Sequence, residues 1–430
     1  MNYYSRKSIP GPDNILRKEL DNGIILLARE NLSSPTAVIS ASIPCGSYLD
    51  PLNKTGLADF AANCLNTGTY THNFMQLSEI LENSGASLGI GCGPRAFTIH
   101  GKCLAEDLPL LLGLTKEILD EPSFPADHLE IHRQRVLSAY ELHLHDPESM
   151  SNELFDKLLF GEQHPYGRPE FGTIDETNSI TRDDLLDFHK KYIGPKNMIL
   201  SISGGISKEK MLEECEKQIG TWKKSQENID ISSFFPLPPA PNQSITEHIE
   251  IPEKSEISLI MGTMGPKRGS SEYLTALLAN SILGEFGMMG RIGKAVRQDN
   301  GLAYQASSSL TALTYGGCWT IEAGINPGNV EKTVNLILKE LKRFTSEKVS
   351  REELEDVKSF FLNSRPLSLE SNNGIAALLL NIEGFSLGLD YLIRLPEIVE
   401  KITTEDILQT AKTWLDPEKL LRVTAGTLSE

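Results

Sequence analysis

Apolar residues recur along this chain with two different periods, and their alternation sets an order of elements. Residues 21–30 and 36–43 alternate polar with aliphatic or β-branched positions, as half-buried strands do. Residues 55–65 and 74–84 space their apolar positions three and four apart, which predicts helices, and Gly85 offers a stop for the second. A strand is predicted over 96–103, long helices over 107–119 and 126–143, and a returning strand over 197–203. Beyond residue 244 the series restarts, with strands over 244–251 and 257–263, then helices, then strands near 303–311 and 318–323. Strands bunched between groups of helices predict an α+β class in which helices pack on a sheet.

The restart has a boundary. Residues 225–244 contain Phe234-Phe235-Pro236-Leu237-Pro238-Pro239-Ala240-Pro241. Proline removes backbone donors and favours extended conformations, so this stretch reads as a semi-rigid linker. It divides the chain into an N-terminal domain, 1–224, and a C-terminal domain, 245–430. Short matches tie the halves together: Ala62-Asn63-Cys64-Leu65 with Ala279-Asn280-Ser281-Ile282, Phe97-Thr98-Ile99 with Trp319-Thr320-Ile321, and Leu129-Glu130 with Leu354-Glu355. Their offsets grow slowly along the chain, as loop insertions in a duplicated domain would make them. Two homologous α/β sandwich domains are therefore expected.

Composition narrows the function. A net charge of −17 over 430 residues argues against nucleic acid as the main partner, because phosphate binding needs a basic surface. The six cysteines are scattered and form no C-x-x-C pair, so they read as small buried hydrophobes in a reducing compartment. The first twenty residues hold no apolar run of signal-peptide length, and no apolar run anywhere is long enough to span a membrane. A cytoplasmic location without a membrane span is the resulting expectation.

One segment carries the candidate chemistry: Gly56-Leu57-Ala58-Asp59-Phe60-Ala61-Ala62-Asn63-Cys64-Leu65-Asn66-Thr67-Gly68-Thr69. It resembles the zinc-site helix of the pitrilysin/insulinase metallopeptidase family, in the branch of the mitochondrial processing peptidases, where H-x-x-E-H lies between a G-L-A lead-in and a G-T exit. The resemblance extends over most of the chain. It takes in Leu20-Asp21-Asn22-Gly23, His164-Pro165-Tyr166-Gly167, and the run from Gly290-Arg291-Ile292 through Arg297 to Gly301-Leu302-Ala303-Tyr304.

The departures matter as much as the match. The resemblance implies two histidine ligands with a glutamate base between them, and here those positions are Asp59, Ala62 and Asn63. A third ligand, a glutamate on a later helix, falls on Ala139 when counted back from Asp146-Pro147. Alanine has no lone pair to give, and catalytic zinc takes three protein ligands. The expectation is that this chain binds no metal and no cofactor of its own. His128 and His132, four apart on a predicted helix, have the spacing of chelating residues, but they lack a third ligand nearby and read as solvated polar residues at a helix start. His143 lies on the same stripe.

The second half keeps what the first has lost. The resemblance implies an arginine that holds substrate carbonyls and a tyrosine that donates to the developing oxyanion, both reaching the zinc site of the other half or subunit. Those positions are Arg297 and Tyr304. Taken singly, they read as a solvated helix residue and a strand aromatic. Gly284, Gly287 and Gly290 occupy the place of a glycine-rich substrate-receiving loop, although a plain helix–helix connection fits the same residues.

Three readings follow. The leading one is a non-catalytic subunit of a heteromeric zinc peptidase, paired with a homologue whose H-x-x-E-H is intact and which supplies the zinc, with a peptide or unfolded polypeptide as substrate. The second is a structural subunit like the core proteins of the respiratory cytochrome complex, with no part in proteolysis. The third is an active peptidase using unusual ligands. Retention of Arg297 and Tyr304 favours the first.

Overall fold

The computed structural model describes residues 9–169, 171–223, 230–238 and 241–428, and for residues 286–289 it describes the backbone only. The first half of the chain runs β1 (Leu16–Glu19), β2 (Ile25–Glu30), β3 (Thr36–Ile43), α1 (Leu57–Leu65), α2 (Phe74–Asn83), β4 (Ser87–Cys92), β5 (Phe97–Leu104), α3 (Leu108–Asp120), α4 (Ala126–Leu144), α5 (Pro147–Phe160), α6 (Ile174–Ser179), α7 (Arg182–Tyr192), β6 (Ile199–Gly204) and α8 (Lys208–Lys217). The second half runs β7 (Ile245–Glu250), β8 (Ile257–Met264), α9 (Tyr273–Asn280), α10 (Phe286–Gly293), β9 (Ala303–Ala312), β10 (Gly317–Ile325), α11 (Val330–Ser346), α12 (Arg351–Ser368), α13 (Asn372–Gly384), α14 (Tyr391–Lys401), α15 (Thr404–Trp414) and β11 (Leu421–Gly426).

The strands form two sheets, ordered β1-β2-β6-β3-β5-β4 and β7-β11-β8-β10-β9. They share one topology. In the first, β2 pairs parallel with β6, and β6-β3-β5-β4 continue antiparallel. In the second, β7 pairs parallel with β11, and β11-β8-β10-β9 continue antiparallel. Phe97 and Trp319 lie on β5 and β10, each second from the corresponding edge, and both are fully buried. The chain is an α+β protein with a repeated domain.

The two compact units do not follow the two halves. The first takes residues 1–139, 170–234 and 365–393, and the second takes 140–169, 235–364 and 394–430. Each sheet lies in its expected half of the chain, but α5 and α13 pack away from the half that encodes them. In the first unit α13 lies on β3 and β6, where Ile375 and Leu379 meet Ile15 and Leu27. Its N-terminal Asn372 is buried and donates to Thr36 O (3.0 Å) while accepting from Asn31 Nδ2 (2.9 Å). In the second unit α5 lies on β8 and β11, with Phe155 and Leu159 packed against Ile260, Met264 and Val423.

Part of the proposed linker, 225–229 and 239–240, falls outside the described residues. In the described part Ile231–Phe234 is a 3₁₀ turn. Phe235 is buried in the second unit, stacked on Tyr315 (centroids 4.8 Å apart) and packed against His164 and Tyr166. This stretch is anchored by its aromatics, which a reading based on proline content does not anticipate.

Candidate functional site

In the first unit, α1 is preceded by Gly56 as its N-terminal cap, whose φ of 93° suits glycine. The buried Asp50 carboxylate accepts from the backbone N–H of Gly56 and of Ala58, both at 2.8 Å, and so occupies the helix N-terminus. Leu57, Phe60, Ala61, Ala62 and Leu65 are buried, which fixes the helix rotation.

The polar residues of the degenerate motif satisfy one another. Asn63 Nδ2 donates to Asp59 O (3.0 Å) and Asp59 Oδ1 (2.8 Å). The other oxygen of Asp59, Oδ2, lies 3.1 Å from His132 Nε2 on α4. The His132 ring stands edge-on to Phe60 at 4.6 Å. Arg133 lies over the other side of the cluster, 5.6 Å from the Phe60 centroid, and donates to the carbonyls of Thr177 and Ile180.

His132 corrects the sequence reading. It was expected to be solvated at a helix start, and instead it is buried and bound to Asp59. The signal was present, because His132 stands seven residues before Ala139 and so on the same helical stripe, about 10 Å away along the axis. His128 packs its ring on Phe74 (4.7 Å), and His143 pairs with Glu153 at 2.7 Å. These histidines do not converge on one point.

Asp59 and His132 offer two metal donors, while Ala62 is completely buried and, like Ala139, offers none. Among the described residues no three His, Cys, Asp or Glu side chains gather as a metal site. The residue set does not fit a catalytic zinc, which takes three protein ligands, and no base stands where the family glutamate would be. The nearby thiols are equally quiet: burial pushes Cys64 up to about 12, with the Asp59 charge adding to it.

In the second unit the corresponding helix is irregular. Ser281–Glu285 and Lys294–Gln298 are π-helical and flank α10. The glycines expected in a loop lie in this helical run. Gly284 is buried, and a Cβ there would collide with Ser308; Gly290 has φ 61° at a point where a Cβ would meet Gly284 N at 2.6 Å. Close packing of backbone on backbone, not chain mobility, calls for glycine at these two positions. Gly287 lies within α10.

Arg297 sits in the second π-helical segment. Gly301 N donates to Arg297 O (2.9 Å) and Leu302 N to Val296 O (3.0 Å), turning the chain through Gly301 (φ 62°) into β9. Tyr304 is the second residue of this edge strand and is 85% exposed. The Arg297 guanidinium lies 5.7 Å from the Tyr304 ring centroid. Among the described residues neither the guanidinium nor the phenol has a hydrogen-bond or ion-pair partner. Two strong donors are thus held side by side and left open.

The family description "Insulinase (Peptidase family M16)" matches residues 26–161, and "Peptidase M16 inactive domain" matches residues 179–361. The chain belongs to the M16 peptidase family. It is similar to the mitochondrial-processing peptidase subunit beta of Saccharomyces cerevisiae, 25% identical over 96% of this chain and 91% of that one. An "uncharacterized zinc protease" of Rickettsia bellii is 24% identical over 93% and 94% of the two chains. Among solved structures, an M16 inactive domain from Pseudomonas fluorescens superposes with a TM-score of 0.89, covering 97% of this chain and 98% of that one at 24% identity. A Helicobacter pylori protease gives 0.87 over 97% and 100% at 19% identity. The fold of these structures spans 97% of the chain. Among the described residues no helix is long and apolar enough to cross a membrane.

Proposed function

We propose that this M16 chain is a non-catalytic subunit of a two-subunit zinc peptidase. The observation that carries the reading is a contrast of retention and loss. The positions of the zinc ligands and base have become Asp59, Ala62, Asn63 and Ala139, while Arg297 and Tyr304 remain, adjacent and unpaired. A peptidase arginine and tyrosine without their own zinc have a use if a homologous partner with H-x-x-E-H supplies metal and base. Tyr304 then donates to the oxyanion of the transition state, and Arg297 holds substrate carbonyls. The relative named as a subunit, the processing-peptidase beta chain, supports a heteromeric arrangement. The substrate class is peptide or unfolded polypeptide.

The test is reconstitution with such a homologue and a fluorogenic peptide, with assembly followed by size-exclusion chromatography. Loss of one oxyanion donor costs about 10²–10³ in kcat, so Tyr304→Phe should lower kcat by at least the smaller factor and leave KM nearly unchanged. Arg297→Ala should act more on KM, since substrate carbonyls are present in the ground state as well. Full activity of an assembled Tyr304→Phe complex would overturn the reading in favour of a structural subunit.

A further inference from the structure

The second unit holds a cleft of about 360 Å³ whose walls are two helical faces. One wall is α10 with the π-helical segment after it, presenting Arg291, Lys294 and Gln298 at helical spacing; the other is α12, presenting Glu353 and Asp356. Ile282 and Val357 give it an apolar base. Its volume is at the low end for small-molecule sites, roughly 300–1,000 Å³. The backbone around it is unusual, with a π-helical segment on each side and Gly290 in a left-handed conformation at its edge. Such irregularities in helices concentrate at functional sites.

The charges on the walls are unequally used. Arg291 donates twice to Glu353, from Nε and from an Nη, both at 2.9 Å, and also approaches Glu340 at 3.5 Å. This bidentate pair closes off its own charge and joins the two walls. Lys294 and Asp356 are exposed and have no hydrogen-bond or ion-pair partner among the described residues, so one free cation and one free anion face a common space without bridging it. A phosphate or other simple anion would meet the acidic wall, and a metal ion would meet the basic one. A ligand that carries both charges satisfies both.

We propose that this cleft binds a small zwitterion with an aliphatic body, the chemistry of a free α-amino acid or a dipeptide: Asp356 takes the ammonium, Lys294 the carboxylate, and Ile282 and Val357 the side chain. These are also the ends that peptide hydrolysis exposes. The site stands on the second unit alone and does not depend on Arg297 and Tyr304 acting in a partner's site.

The test is calorimetric titration of the full chain with L-leucine, dileucine, L-leucinamide and N-acetyl-L-leucine. Saturable binding of leucine or dileucine is expected in the millimolar range, and the tighter of the two shows whether a single amino acid or a dipeptide is the ligand. Leucinamide and N-acetyl-leucine, each lacking one charge, should bind at least about tenfold more weakly, as loss of one charge-assisted hydrogen bond implies. Lys294→Gln and Asp356→Asn should each weaken leucine to a similar degree. No saturable binding of either zwitterion would overturn the proposal. So would equal affinity for the blocked compounds, or unchanged affinity in both variants. The blocked compounds test the unaltered protein, so the result does not rest on the folding of a variant.

Discussion

The α1–α4 region of the first unit and the α10–β9 region of the second treat their polar side chains in opposite ways. In the first, each polar group of the old motif has turned to a neighbour: Asn63 to Asp59, and Asp59 to His132. In the second, Arg297 and Tyr304 are joined by backbone hydrogen bonds through the Gly301 turn and by a ring contact, and among the described residues their donors have no protein partner. His132 is buried, and a buried polar group must find a partner or cost stability; the half-exposed Asp59 of α1 supplies that partner. Groups open at the surface are satisfied by water, and it is there that the proposed role in a partner's site would bring a ligand.

The contrast breaks most severely if glutamate is restored at the old base position. Ala62 is fully enclosed, so Ala62→Glu places a carboxylate at a completely buried position of α1. A loss of about 3–5 kcal/mol is expected, the range for an uncompensated buried charge, read as a lower urea midpoint with an unchanged slope. A loss below about 1 kcal/mol would mean that the pocket still holds water or a counter-charge and has not closed. On the other side, Tyr304→Phe should leave stability within about 0.5 kcal/mol, since the side chain is exposed, while costing the reconstituted complex about 10² in kcat. That split between stability and rate is the signature of a group kept for an external reaction.

A third expectation concerns titration in the second unit. Burial pushes the Asp156 carboxyl on α5 up to about 7, with the charge of Glu322 on β10 adding to it. The folded state therefore holds a proton that the unfolded chain releases near pH 4. Stability should fall as pH rises from about 4 to about 7 and level off above, because the folded state binds more protons over that window. Asp156→Asn should flatten this segment of the profile and raise stability at pH 8 by up to about 4 kcal/mol. A profile unchanged by the substitution would show that the helix yields to let water reach the carboxylate.

The elements were largely legible in the sequence, because period and turn residues act locally. β3 starts and ends as expected, α3 and α4 are displaced by a residue or less at each end, and Gly85 stops α2 at φ 60°. β4, Ser-Leu-Gly-Ile-Gly-Cys, was missed: two of its six residues are glycines, which depress strand propensity, and as an edge strand it is paired on one side only. The degenerate-motif positions rest on the family resemblance, and the structure places Asp59, Ala62 and Asn63 on α1 and Ala139 on α4. What covers each sheet was not legible, since α5 and α13 are amphipathic in sequence but nothing local says which sheet each will bury. The link from His132 to Asp59, 73 residues apart in the chain, left one local trace, the place of His132 on the helical stripe of Ala139.

That link makes the smallest and most specific prediction. In the family pattern a metal would join the α1 helix to a later helix. Here Asp59 on α1 and His132 on α4 form a direct bond between the same two elements, backed by the edge of His132 on Phe60. If this bond has taken over the joining role, Asp59 and His132 should be coupled energetically. His132→Ala removes both the bond and the ring contact and should cost about 1–3 kcal/mol; Asp59→Ala, at a half-exposed position, should cost about 1 kcal/mol or less. The double variant should cost less than the sum, with a coupling of about 0.5–1.5 kcal/mol from a double-mutant cycle by urea unfolding. Asn63 gives the control. Its side chain bonds the other oxygen of Asp59 within one helix, so Asn63→Ala should couple to Asp59 but scarcely to His132. Strict additivity of Asp59→Ala and His132→Ala would show that the two groups merely lie near each other, and that packing around Phe60 alone holds α1 to α4.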